Sequence, residues 1–344
     1  MKAKISPRIE LENRTRLETV IPLSTPFILF VDPSSSCNFR CKFCPTGDHE
    51  IIKTTGRFQG QMNFELYKKI IDDLKEFDKP LKVLRLYKDG EPLLNKNLAR
   101  MIKYAKDSDN VSYIDTTTNG LLINNFRMKP IIEAGLDKIN ISVNGLSDEQ
   151  FLDFTGIHVD FNKYVENITN LYDIKNNCEI VIKIVGDRLS ETEKTYFYDT
   201  FGDICDKIFI ENTAPCWSGF DVESHTDIKI NTTKGIYNNE LSNTNICPYI
   251  FYSISINSDG SVSLCFLDWE RKLIIGDIRC QTMKEVWNTP ILFYYQYNNL
   301  VGKRKEIDVC KNCGQLTYCM PDNIEPYKNE ILKNLLNNKG LNHL

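Results

Sequence analysis

Twelve of the 344 residues are cysteines, and they are unevenly spread. Cys37, Cys41 and Cys44 fall within the run Cys37-Asn-Phe-Arg-Cys41-Lys-Phe-Cys44-Pro45. Six more (Cys247, Cys265, Cys280, Cys310, Cys313 and Cys319) lie in the last third, and only Cys178, Cys205 and Cys216 stand between. Thiolates are soft ligands that suit zinc or iron–sulfur centres. Clustered cysteines in a reducing compartment read as metal or redox chemistry rather than as disulfides. Spacings of three and two let three sulfurs of one tight loop meet one cluster. An all-cysteine cubane takes four thiolates. With no fourth cysteine nearby, one iron would stay open to an outside ligand, as catalytic metal sites keep an open position. A structural zinc loop is the alternative, and zinc asks for four ligands.

The elements that must present this loop follow a rhythm. The apolar run Phe27 to Val31, ended by Pro33 and three serines, predicts a buried strand that leads straight into the cysteines. Further strands are expected at 81–87, 111–116, 136–143, 179–185 and 207–210. Helices are expected at 63–78 behind an Asn63 cap, at 95–105, at 124–134 closed by Gly135, at 147–154, 161–172 and 191–201. Such alternation implies parallel strands joined by right-handed crossovers. Six units over roughly 185 residues fall short of a closed eight-stranded barrel of about 250. The expected fold is therefore α/β, a partial (β/α)6 TIM-like barrel with its site at the carboxyl ends of the strands.

After Glu211 the rhythm stops. Residues 212–246, rich in Asn, Thr and Ser, read as a connection. A hairpin is expected from 251–256 and 261–266 about Asn257-Ser-Asp-Gly260, then short helices at 282–288 and 324–336 among the cysteines. The expected organisation is an arm (1–26), a barrel (27–235), a small Cys-rich domain (236–322) and a carboxyl-terminal helix and tail (323–344). Lys plus Arg number 42 and Asp plus Glu 46, a net charge of −4, which disfavours nucleic acid as a partner. No apolar run approaches a membrane span, and the charged first residues lack a signal peptide's core, so a cytoplasmic protein is expected.

The C-x3-C-x2-C spacing after the first barrel strand, with Phe43 before the last Cys, resembles the radical S-adenosylmethionine (SAM) superfamily. The resemblance implies that the open iron is chelated by the amino and carboxylate groups of SAM. One electron then breaks the S–C5′ bond, and the 5′-deoxyadenosyl radical abstracts a substrate hydrogen. Three further segments, each after a strand, resemble the family's motifs: Asp89-Gly90-Glu91-Pro92, with Asp89 where Gly is usual; Thr118-Asn119-Gly120; and Ser142-Val-Asn144-Gly145, with Asn144 where an acid is usual. They imply that SAM rests on Phe43, Gly90, Glu91, Asn119, Ser142 and Asn144. The Asp89 carboxylate would sit near the SAM ammonium. Taken singly, Gly and Asn after strands are ordinary turn formers. Lys183 is a lesser candidate for touching SAM or substrate.

Cys247, then Gly260 and Cys265, then Cys310-Lys-Asn-Cys313 and Cys319 resemble the SPASM module, which binds auxiliary 4Fe–4S clusters. Gly276-Asp-Ile and Thr282-Met-Lys-Glu-Val-Trp287 extend the likeness. The later cysteines of the full module are missing. One auxiliary 4Fe–4S cluster is therefore expected, as in the shortened "twitch" variant, on Cys247, Cys265, Cys310 and Cys313, with Cys319 as a substitute ligand. A four-cysteine zinc site is the alternative. Cys280 is extra to the pattern and expected to be a buried thiol; Cys178 and Cys205 are expected in the core. Cys216, in Ala214-Pro-Cys-Trp-Ser-Gly219, could donate a hydrogen atom to a substrate radical or simply pack. Of the histidines (His49, His158, His225, His343) none makes a metal or triad pattern, though His49 and Glu50 could line the pocket.

The reading is a radical SAM oxidoreductase acting on a small molecule such as a sugar or aminocyclitol, by dehydrogenation or epimerisation. Its expected partner is an electron donor such as flavodoxin or ferredoxin. A peptide maturase is the alternative, disfavoured because about 26 residues before the first strand leave no room for a leader-binding domain. A non-catalytic iron–sulfur or zinc protein is the alternative from another class.

Overall fold

The computed structural model describes every residue except 320–321 and 342–344, so His343 lies outside the described residues. The strands in chain order are β1 (Lys4–Ile5), β2 (Ile28–Val31), β3 (Val83–Arg85), β4 (Ile114–Thr118), β5 (Lys138–Val143), β6 (Glu179–Val185), β7 (Lys207–Glu211), β8 (Ser253–Ile256), β9 (Ser261–Ser263) and β10 (Ile274–Asp277). They make one sheet in the order β1-β7-β6-β5-β4-β3-β2-β8-β9-β10. All pairings from β1 through β8 are parallel, and β8, β9 and β10 pair antiparallel. The strands β2 to β7 and their helices form the partial TIM-like barrel.

The crossover helices are Phe64–Asp73, Leu98–Asp107, Asn125–Glu133, Asp148–Thr155 with Phe161–Ile174, and Glu191–Phe201. Their starts are set by side chains that accept orphan backbone N–H groups: Asn63 from Glu65, Ser147 from Gln150, and Ser190 in a capping box with Glu193. Gly135 closes its turn at φ +92°.

Neighbours in register on parallel strands share a face, and successive residues alternate. Leu84, Ile114, Ile139, Ile180 and Ile208 pack into the core with helix residues such as Met101, Met128, Ile131 and Phe197. Burial of this kind contributes about 0.8 kcal/mol per methylene. The alternate positions make a polar face: Arg85, Asp115, Lys138 and Glu179 stand side by side in register, as do Ser142, Lys183 and Phe209.

Three features differ from expectation. The arm is not irregular throughout, because β1 pairs with β7 and Ala3, Leu17 and Ile21 are buried; a two-residue strand leaves no periodic signal. The hairpin strands are shorter than expected because Tyr249–Tyr252 winds into a helical turn, and β8 pairs with β2 at the barrel's edge. Helices at His49–Thr55 and Pro290–Leu300 appear where none was expected, and the last helix runs Lys328–Asn338 behind a 3-10 turn. Among the described residues no helix is long and apolar enough to cross a membrane.

Candidate functional site

The first cysteine loop is held by its own turns and by the helix across from it. The Cys44 N–H donates to the Cys41 carbonyl (3.1 Å) and the Gly47 N–H to the Cys44 carbonyl (2.9 Å). The Arg40 and Lys42 N–H groups donate to Thr155 and Phe154 at the end of helix Asp148–Thr155. Phe39 is buried against Phe151, and Phe43 stacks on Phe154 at 5.1 Å. A Cβ on Gly47 would meet the Cys41 carbonyl oxygen at 2.4 Å, so only glycine fits there.

The other expected residues converge on this loop. A Cβ on Gly90 would lie 2.2 Å from the Ser36 carbonyl oxygen, so that loop presses on the residue before Cys37. The Asn119 side chain donates to Asn38 Oδ1 (2.8 Å) and faces Cys37 Sγ (3.9 Å). The Glu91 carboxylate accepts from the N–H groups of Leu93 and Asn119 and from the Thr118 hydroxyl, so it staples the β3 loop to the β4 loop. Burial pushes it up to about 7. His49 lines a pocket of about 350 Å³ with Ser36, Cys37, Thr46 and Arg57. Glu50 lines a neighbouring one with Arg40 and Cys41.

A further pocket of about 110 Å³ opens beside Phe43, lined by Val143, Asn144, Gly145, Phe154, Ile184 and Val185. The last three and Arg188, which also borders it, were not foreseen. The signal available was the position of Val185-Gly186 at the carboxyl end of β6. The Asn144 side chain donates to the Ser142 carbonyl (2.9 Å), which fixes that turn.

Asp89 is not a spare carboxylate for an ammonium. Lys88 (3.0 Å), Arg271 (2.6 Å) and Arg57 (3.9 Å) surround it. Burial pushes its carboxyl up, but these three cations outweigh burial and hold it at about 2. Arg271 belongs to the Cys-rich third, so Asp89 locks that region onto the barrel loop. The stack of Phe266 on Phe30 (4.5 Å) and the bond from Ser258 Oγ to Asp32 (3.1 Å) add to the lock.

In the carboxyl-terminal set, the burial-raised thiols of Cys247, Cys265, Cys310 and Cys313 lie close enough to repel one another's charge. Burial holds Cys313 up at about 11. Asn299 accepts from the Cys247 N–H (3.0 Å), and buried Arg304 bridges the Asn245 carbonyl (2.9 Å) and the Cys310 carbonyl (2.6 Å). Cys319 stands apart, its Sγ 3.1 Å from Cys216 Sγ. Cys178 and Cys205 are in the core as expected. Cys280 is exposed rather than buried, because it sits in the turn after β10 with its Sγ toward the Asp277 carbonyl.

The donor sets fit iron–sulfur clusters. Cys37 is pushed up to about 12 by burial, and Cys41 and Cys44 are raised by burial and by each other. Closely packed buried thiols of this kind are relieved by a cation that takes them as thiolates. Among the described residues no three Cys, His, Asp or Glu side chains converge tightly enough to hold one metal ion.

Residues 31–196 match the radical SAM superfamily and residues 247–314 the SPASM iron–sulfur cluster-binding domain. The S-adenosyl-L-methionine-dependent 2-deoxy-scyllo-inosamine dehydrogenase of Niallia circulans is 22% identical over 295 residues, 83% of this chain and 92% of that protein. The fold is similar to BtrN in complex with AdoMet and 2-DOIA, at 18% identity and TM-score 0.57 over 86% of this chain and 96% of that one. It is also similar to Streptococcus suis SuiB bound to its precursor peptide SuiA, at 15% identity and TM-score 0.60 over 88% and 73%. The chain is thus an enzyme of the radical SAM superfamily, with a SPASM iron–sulfur domain in its carboxyl-terminal third.

Proposed function

We propose that this enzyme dehydrogenates a small polyhydroxylated ring that carries an amino group, an aminocyclitol or amino sugar. The observation that carries the reading is the polar strand face. Buried atoms there lack hydrogen-bond partners: Arg8 Nε, Arg85 Nε, Asp115 Oδ1, Asn140 Oδ1 and Glu211 Oε1. Orphaned buried donors and acceptors are costly unless something hydrophilic meets them. Asp115 pairs loosely with Arg85 and Glu211 with Arg8, each at 3.8 Å; a carboxylate of this kind can take an ammonium, and the arginine N–H groups suit hydroxyl oxygens. The likeness to the Niallia dehydrogenase over most of both chains supports the same substrate class.

Cys37, Cys41 and Cys44 would hold the SAM-cleaving 4Fe–4S cluster. Phe43, Gly90, Asn119, Ser142 and Asn144 would seat SAM, with the pocket beside Phe154 taking its adenine. When bound, cluster and SAM supply a carbon radical that removes a substrate hydrogen. Glu91 acts by positioning: its carboxylate fixes Asn119 against Asn38. Cys247, Cys265, Cys310 and Cys313 would hold one auxiliary cluster, which suits removal of the second electron of an oxidation. An external one-electron donor of the flavodoxin or ferredoxin kind is required.

The test is the anaerobically reconstituted enzyme with SAM, dithionite and an aminocyclitol deuterated at its carbinol carbons. Deuterium in 5′-deoxyadenosine together with a ketone product supports the reading. Cleavage of SAM with no deuterium transfer from any aminocyclitol or amino sugar overturns it, and transfer from a peptide instead would establish a maturase.

A further inference from the structure

Five cysteines are left over once three thiolates are assigned to the first cluster and four to one auxiliary cluster, and two of the five stand together. Cys216, in the loop that leaves β7, and Cys319, beyond the last cysteine pair, are 103 positions apart, yet their sulfurs are 3.1 Å from each other. A disulfide needs about 2.05 Å between sulfurs, so closure asks for a movement of about 1 Å. The approach is built by the backbone. The Gly314 N–H donates to the Pro215 carbonyl (3.1 Å), and a Cβ on Gly314 would meet that oxygen at 2.6 Å. Cys313 Sγ faces the Cys216 carbonyl at 3.7 Å. Cys319 is buried and Cys216 is half-buried. Arg8 lies near Cys216 and Lys183 near Cys319, while the Cys319 contact and burial hold the Cys216 thiol well above its ordinary value.

We propose that Cys216 and Cys319 are a redox-active thiol pair that exchanges with low-molecular-weight disulfides. The Cys216 thiolate attacks one sulfur of the small disulfide, forming a mixed disulfide and expelling the first small thiolate. The Cys319 thiolate then attacks Cys216 Sγ, closing the Cys216–Cys319 bond and expelling the second. The two cysteines lose two electrons and two protons, and the small disulfide gains them as two thiols; a dithiol reverses both steps. Closure ties the loop after β7 covalently to the segment that carries Cys313. The redox poise of the surrounding thiols thereby reaches an expected ligand of the auxiliary cluster.

The experiment equilibrates the anaerobically reconstituted protein with graded ratios of oxidised to reduced glutathione, then alkylates it and maps each cysteine by mass. Cys216 and Cys319 should lose alkylation together, and a linked peptide should appear two mass units lighter than its open form. In C319S, Cys216 should accumulate a glutathione adduct that the unaltered protein does not retain. If both remain fully alkylated while exposed Cys280 takes up glutathione, the proposal is overturned. It is equally overturned if C216S or C319S lowers the iron content by about one cubane, for then the pair ligates metal. These readouts follow thiols and iron alone, so an enzyme that fails on every aminocyclitol still tests the pair.

Discussion

Cys37, Cys41 and Cys44 are held by one short loop, whereas Cys247, Cys265, Cys310 and Cys313 are gathered from residues 247 to 313. The first set depends on local turns, on the Gly47 contact and on two hydrogen bonds to the end of one helix. The second depends on long-range clamps, Asn299 on Cys247 and Arg304 across Asn245 and Cys310. A local loop shows its chemistry by spacing alone. A gathered set shows only that cysteines are present, and the fold decides which of them meet: Cys319 went to Cys216 and Cys280 went to the surface.

Four substitutions sharpen this contrast. Cys41→Ala should have the largest effect: SAM cleavage falls to background and iron drops by about four per chain, read by 5′-deoxyadenosine formation and metal analysis. Cys310→Ala should leave SAM cleavage in place while substrate oxidation falls about 100-fold, since even disturbing a ligand's surroundings costs 10- to 100-fold; if product and 5′-deoxyadenosine fall together, the two sets do not have separate tasks. Gly47→Ala should lower iron at the first set alone, by the strain of a Cβ on the Cys41 carbonyl. Gly314→Ala should disturb only the second, as followed by the electron paramagnetic resonance of each reduced cluster.

Arg271→Ala probes the lock between the regions. Removing one partner of a buried ion pair costs about 3 kcal/mol, measured by denaturant unfolding. The sign of its pH dependence follows from Asp89. Its carboxyl is held at about 2, so its stabilisation is present above the ordinary value of about 3.9 and is lost as pH falls through 2. Without Arg271 that value rises, and the acid limb of the stability curve should move to higher pH. An unmoved limb would mean that Lys88 and Arg57 carry the whole effect.

Much of the barrel was legible in the sequence because its signals are periodic and local. β6 occupies the residues its apolar run marked, and the Asn63, Ser147 and Thr282 caps lie where helices begin. Two missed helices also carried local signals: Asp48 accepts from Glu50 and Ile51, and Thr289 precedes a proline at the first helical position. Other features had none. Nothing near Asp89 announces Arg271, 182 positions away, and nothing near Arg8 announces Glu211. Long-range pairs of charge, like the β2–β8 pairing, exist only after the chain has folded.

That β2–β8 pairing has a mechanical consequence. The two strands run parallel in register from Ile28 beside Ser253 to Val31 beside Ile256. Cys37 follows the carboxyl end of one, and Cys247 precedes the amino end of the other. The strand pair is a strut on the order of 13 Å long at 3.3 Å per residue. A pull on either cysteine segment is therefore borne by backbone hydrogen bonds running along that strut, not by side chains at the boundary between the two regions.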